Sequence, residues 1–121
     1  KVVRLYAKNT ITVSGGNITS LHIKYVKTRK DYATVSANVG NYVDGGTSTA
    51  QDDYKVDTWT GNASEVVITL GDAGQRGLVE LTINGKTGIP DYYGYRTKEM
   101  AETIAQRYRL AGFEARVVRY S

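Results

Sequence analysis

Cysteine is absent from this chain. That removes a disulfide framework, a thiolate nucleophile and every Cys-type zinc site. Histidine occurs once, as His22. A catalytic imidazole is normally oriented by a carboxylate, and none lies near His22 in sequence. No apolar run approaches the ~20 residues that a membrane-spanning helix requires. Serine and threonine are plentiful but sit in no nucleophile elbow. The pairs Gly15-Gly16 and Gly45-Gly46 lack the Lys-Ser or Lys-Thr continuation of a phosphate loop, and read as turn glycines. These absences predict no catalytic residues, no metal site, no cofactor and no membrane partner.

Acids are missing from residues 1–30, which hold seven bases. Residues 31–85 hold only Lys55 and Arg76 against eight acids, a balance of −6, and residues 86–121 hold seven bases against four acids. The net charge of +4 therefore hides a chain that is segregated along its length. Asp44, Asp52, Asp53 and Asp57 match neither a calcium loop nor a paired-carboxylate signature, and read as solvated loop acids, with weak calcium binding as the alternative.

A chain of 121 residues fits one domain with a core of its own, here residues 1–121 as a single α+β unit. Alternation of apolar and polar residues predicts most of it to be antiparallel sheet of about six to eight strands. Val2 to Ala7 reads as a first strand. Thr10 to Val13 and Ile18 to Lys27 read as an antiparallel pair reversed at Ser14-Gly15-Gly16-Asn17. In the return strand Leu21, Ile23 and Tyr25 share the apolar face. From Tyr32 to Val43, Ala33, Val35, Ala37 and Val39 line one face. Asp44 to Asp53 has no periodicity and reads as a loop. Tyr54 to Trp59, Val66 to Leu70 and Val79 to Ile83 follow as short strands, and Asn84-Gly85 is a strong hairpin signal.

The segment Thr97 to Tyr120 carries a different pattern. Thr97 is an N-cap type. Met100, Ile104, Tyr108 and Ala111 recur at helical spacing, and Gly112 stands where a helix ends. Phe113, Ala115 and Val117 then alternate with Glu114, Arg116 and Val118 as a closing strand. The architecture expected is a mainly antiparallel sheet with one C-terminal amphipathic helix and a closing strand, or else a β-sandwich or barrel with an appended helix. The helix, Gly112, Phe113 and Ala115-Arg116-Val117 resemble the second half of βαβ-type repeats, including the SPOR-type peptidoglycan-binding domain. The β-rich first part has no counterpart there, and no family is assigned.

Two residue sets suggest binding. Lys24, Lys27, Arg29, Lys30 and Tyr32, joined by Arg96, Arg116 and Arg119, form a basic-aromatic set suited to an acidic partner or to single-stranded nucleic acid. Trp59, Tyr92, Tyr93 and Tyr95 form a candidate aromatic surface. The leading expectation is a non-enzymatic interaction or assembly module whose partner is another protein or further copies of itself. A small structural or accessory protein, cytoplasmic or virion-associated, fits that description. The alternatives are a nucleic-acid-binding domain and a small basic nuclease-like enzyme using His22.

Overall fold

The computed structural model describes residues 3–26, 32–45, 54–88, 103–110 and 113–120. Nine strands form one curled antiparallel half-barrel: β1 (Val3–Tyr6), β2 (Thr10–Val26), β3 (Val35–Ala37), β4 (Asn41–Val43), β5 (Tyr54–Leu70), β6 (Gln75–Ile83), β7 (Lys86–Gly88), β8 (Thr103–Leu110) and β9 (Phe113–Tyr120). The count exceeds the expected six to eight, and no helix occurs among the described residues.

Two long strands organise the sheet. β2 and β5 pair antiparallel from Thr10↔Thr69 to Val26↔Tyr54. The other edge of β2 takes β9 along Thr10–Ser14 and β6 along Leu21–Val26. β6 then carries β1 and β7, while the outer edge of β5 carries β3 and β4. β8 pairs with β9.

The expected reversal at Ser14 to Asn17 is not formed, because β2 runs straight through it. The same residues instead make an irregularity in the β2–β5 ladder, with register shifts between Ser14 and Ile18 and between Ile18 and Ser20. Glycine inside a strand marks a bulge as readily as a turn. The bulge also resolves a phase conflict in the sequence. Ile11 and Val13 face the core at odd positions, Ile18 at an even one, and Leu21, Ile23 and Tyr25 at odd ones again. A strict two-residue period cannot bury all six, so an irregularity is required. β5 changes phase at the same level, from Lys55, Asp57 and Trp59 to Val66, Ile68 and Leu70. It is therefore one strand where two short ones were expected.

The bulged backbone of β2 is satisfied from the β6–β7 hairpin. Asn84 and Gly85 both hold positive φ, 49° and 84°, as the tight turn needs. The Asn84 carboxamide oxygen accepts from the amides of Thr19 (2.8 Å) and Ser20 (3.1 Å), and its Nδ2 donates to the Asn17 carbonyl (2.8 Å).

The C-terminal helix is the second correction. Residues 103–110 form β8, in register with β9 from Thr103↔Tyr120 to Leu110↔Phe113. Ile104 and Tyr108 stand four apart, and an even spacing of four places residues on one face of a helix and of a strand alike. Thr103, Ile104 and Tyr108 also favour a strand. Thr97, Met100, Ala111 and Gly112 lie outside the described residues. The closing strand formed as expected.

Candidate functional site

Among the described residues the inward face of the sheet is apolar except at one end. There the alternation of β5 turns Lys55, Asp57 and Trp59 inward together, and Arg76 enters from β6. Both phases of β6 point inward because its ladder with β2 shifts between Lys24 and Tyr25. That shift lets Arg76 and Leu78 share a face with Leu81 and Ile83. Lys55, Asp57 and Arg76 are each less than 5% exposed. Burying ions costs several kcal/mol each unless they are paired and hydrogen-bonded.

Pairing here is mutual. Arg76 Nη1 lies 2.7 Å from Asp57 Oδ2, and Arg76 Nη2 lies 2.9 Å from Asp44 Oδ2. Lys55 Nζ bonds Asp44 Oδ1 and sits 3.3 Å from Asp57 Oδ1. Each carboxylate thus bridges the same two cations. Asp57 also accepts from the Tyr42 hydroxyl at 2.6 Å and the Gly45 amide at 2.8 Å. A β-carbon at Gly45 would overlap the Val56 carbonyl, so only glycine lets the chain after β4 approach so closely.

Three tyrosines enclose the cluster. The Arg76 guanidinium packs 4.7 Å from the Tyr25 ring centre and 4.3 Å from that of Tyr32, and the Lys55 ammonium lies 4.5 Å over Tyr32. A parallel bridge from Tyr32 to Gln75 sets that ring in place. Arg76 Nε donates to the Ala33 carbonyl at 2.8 Å, and the hydroxyls of Tyr25 and Tyr42 meet at 3.1 Å. Burial pushes the hydroxyls of Tyr25, Tyr32 and Tyr42 well above the ordinary phenol range; at Tyr42 the neighbouring Tyr25 and Asp57 push further the same way. For Arg76, burial works against the charge, but the Asp44 hydrogen bond and the fields of Tyr25 and Asp57 outweigh it and raise its pKa.

The opposite face of the same strands is open. Register places Val56 across from Lys24, Tyr54 across from Val26, and Val43 across from Thr58. Val43, Tyr54 and Val56 are all exposed at 40–50%, and the Lys24 ammonium lies 4.7 Å over the Tyr54 ring. His22 is exposed on this face between Thr58 and Thr82.

Of the basic-aromatic set, Lys24 lies on the outward face. Tyr32 is half-buried against Lys55 and Arg76, so its ring is committed to the cluster. Arg116 is exposed on β9, distant in register from Lys24, with its guanidinium 3.8 Å from Glu114. The backbone of Arg119 belongs to β9. Lys27, Arg29, Lys30 and Arg96 lie outside the described residues, as do Tyr92, Tyr93 and Tyr95. Trp59 is corrected: it is fully buried, with its Nε1 donating to the Val39 carbonyl at 2.7 Å and with Gly40 and Gly61 against its ring. Trp59 shares the inward alternation of Lys55 and Asp57, which removes it from any exposed platform. Asp44 and Asp57 are also corrected from solvated loop acids to ion-pair partners. Asp52 and Asp53 lie outside the described residues. Among the described residues no group of acids or histidine is arranged to hold a metal ion, and no carboxylate pairs with His22.

The ion cluster itself was missed, although a signal for it existed. Lys55 and Asp57 alternate in phase with Trp59, and two charges in phase with a core tryptophan imply that they are buried together. Comparison with protein-family models, curated proteins and solved structures gives no match.

Proposed function

We propose that the chain is a non-enzymatic interaction and assembly module that docks through the outward face of β4, β5 and β2 onto another copy of itself. The observation that carries this reading is the exposure of Val43, Tyr54 and Val56 on one face, with Lys24 beside Tyr54 and Val56. Contiguous apolar surface rimmed by charge is characteristic of docking sites on sheet faces.

Charge selects the occupant. The core cluster uses both bases of residues 31–85 against two of their eight acids; of the six acids left, Glu80 stands across from Lys24 in the same copy, and the other five have no base of their own segment left over. Residues 1–30 carry bases alone. A basic face on one copy that meets the acidic segment of the next is a heterologous contact, and such contacts build rings or filaments. A small structural or accessory protein of a particle would work in this way.

Sedimentation velocity at low and high salt tests the reading. Association at low salt that weakens as salt rises supports it, because exposed charges are screened within ~8–10 Å at physiological ionic strength. A monomer at both salt concentrations overturns it. A parallel titration with a mixed-sequence oligonucleotide guards the choice of partner: steeply salt-dependent binding by a monomer would replace self-assembly with nucleic-acid binding.

A further inference from the structure

We propose that Lys55 and Asp44 condense into an isopeptide bond, a covalent link from the residue after β4 to β5 for which their ion pair is the reactant state. The fold, not the sequence, brings the two together, since they stand 11 residues apart. Lys55 Nζ bonds Asp44 Oδ1, and the lysine side chain is almost wholly covered. Holding an amine against a carboxyl group turns a bimolecular condensation into a unimolecular one.

Three neighbours supply what acylation needs. Asp57 is fully buried, and its Oδ1 lies 3.3 Å from Lys55 Nζ, placed to take a proton from that nitrogen. The same oxygen accepts from the Gly45 amide at 2.8 Å, which ties Asp57 to the residue next to Asp44. Asp57 is not itself the acylated group, because Tyr42, Gly45 and Arg76 already hold its two oxygens. Arg76 Nη2 donates to Asp44 Oδ2 at 2.9 Å, where negative charge develops as an amine adds to the carboxyl carbon. The Tyr32 ring lies 4.5 Å from Nζ and closes that side. Proton transfer within an ammonium–carboxylate pair leaves a neutral amine and a neutral acid, forms that a low-dielectric enclosure favours more than water does.

The step balances without an oxidant or an activating co-reactant. One proton passes from the ammonium through Asp57 to Asp44 Oδ1. The freed nitrogen lone pair forms the bond to Asp44 Cγ, and a second proton follows the same path. The Cγ–Oδ1 bond then breaks, and that oxygen departs as water with both protons. Nζ keeps one hydrogen, and Oδ2 remains as the amide carbonyl facing Arg76. One positive and one negative charge disappear together, and Arg76 stays paired with Asp57 at 2.7 Å. The cluster therefore remains neutral with two fewer ions to bury. Asp44 is half-exposed, which gives the released water an exit. This inference does not require the outward face to bind a second copy.

Mass spectrometry of the folded, unchanged chain tests it. The intact mass is expected to fall one water below that of the sequence. Trypsin is expected to leave the chain uncut after Lys55, and tandem fragmentation of that peptide to place the bond between Lys55 and Asp44. The full sequence mass after prolonged incubation at neutral pH overturns the proposal. Position matters as much as mass, because Asp44-Gly45 could shed one water by closing a succinimide on its own backbone. Loss of water with normal cleavage after Lys55 therefore overturns the proposal, as does the same loss in Lys55→Arg, which keeps the charge but cannot form the amide. These readings on the unchanged chain hold whether or not a variant folds. The charge-balanced variant Arg76→Met/Asp57→Leu keeps Lys55 and Asp44 while removing both helping groups. It is expected to retain its full mass, and loss of water there overturns the roles given to Asp57 and Arg76.

Discussion

Arg76 and Asp57 meet inside the sheet with Nη1 2.7 Å from Oδ2, one on β6 and the other on β5, with β2 between those strands. Their contact crosses the strand that organises the fold, so it ties the two flanks of β2 together. Removing either partner leaves a buried charge without its mate. Arg76→Met and Asp57→Asn are each expected to cost roughly 3–5 kcal/mol in urea denaturation. The double variant Arg76→Met/Asp57→Leu, with Asp44 still facing Lys55, is expected to recover a large part of that loss. A double variant as unstable as the sum of the singles would show that the two groups act independently.

Much of this fold is legible in the sequence, and the illegible parts have a common cause. The stripe Leu21, Ile23 and Tyr25, the run from Ala33 to Ala37 and the Asn84-Gly85 turn are each a local pattern with one structural solution. Val39 leaves its stripe because the chain turns at Gly40, where φ is +71°. Gly15-Gly16 and Gly61 allow two solutions, a reversal or a bulge, and only the pairing of β2 with β5 over their full length selects the second. The spacing of Ile104 and Tyr108 is equally double-valued. The ion cluster joins residues 44, 55, 57 and 76 from two strands and a loop, a juxtaposition that no local window contains.

Asn84 offers a test of the bulge. Its side chain satisfies the amides of Thr19 and Ser20 and the carbonyl of Asn17. Asn84→Gly keeps the positive φ of the turn and removes those bonds. A loss of about 1–3 kcal/mol is expected, together with faster hydrogen exchange at Thr19 and Ser20. Unchanged exchange at those two amides would show that the bulge is satisfied in another way.

Hydrogen exchange also decides the C-terminal segment. In an edge strand that pairs on one side only, alternate amides are bonded to the neighbour and the others face outward. Among the described residues β8 pairs with β9 alone, so residues 103–110 are expected to alternate between protected and unprotected, while the matching residues of β9, paired on both sides along 114–118, are protected more evenly. Continuous protection from 103 to 110 would identify a helix and restore the amphipathic reading of Ile104 and Tyr108.

On the outward face, Val56→Glu is expected to leave stability within about 0.5 kcal/mol, since the side chain is exposed. The same change places a carboxylate across from Lys24, in the middle of the apolar patch. Self-association measured at low salt is expected to fall sharply, with Tyr54→Ser producing the same loss. If both variants associate as the unchanged chain does, the patch is not the contact.

Alkaline titration reads the three enclosed tyrosines. Burial raises the hydroxyls of Tyr25, Tyr32 and Tyr42 above the phenol value of 10.0 that they have in the unfolded chain. The folded state then holds those protons more tightly than the unfolded state does. Stability is unaffected below that value and falls as pH rises above it, because only the unfolded chain releases the protons there. Each such group steepens the fall by up to about 1.4 kcal/mol per pH unit. The phenolate absorbance of these three residues is expected to appear together with unfolding, not before it. Tyr25→Phe removes one contributor and is expected to flatten the alkaline limb of the stability curve, while costing some stability at neutral pH through the lost contact with the Tyr42 hydroxyl. A Tyr25→Phe limb as steep as that of the unchanged chain would mean that Tyr25 ionises equally easily folded and unfolded, and that the cluster is open to water.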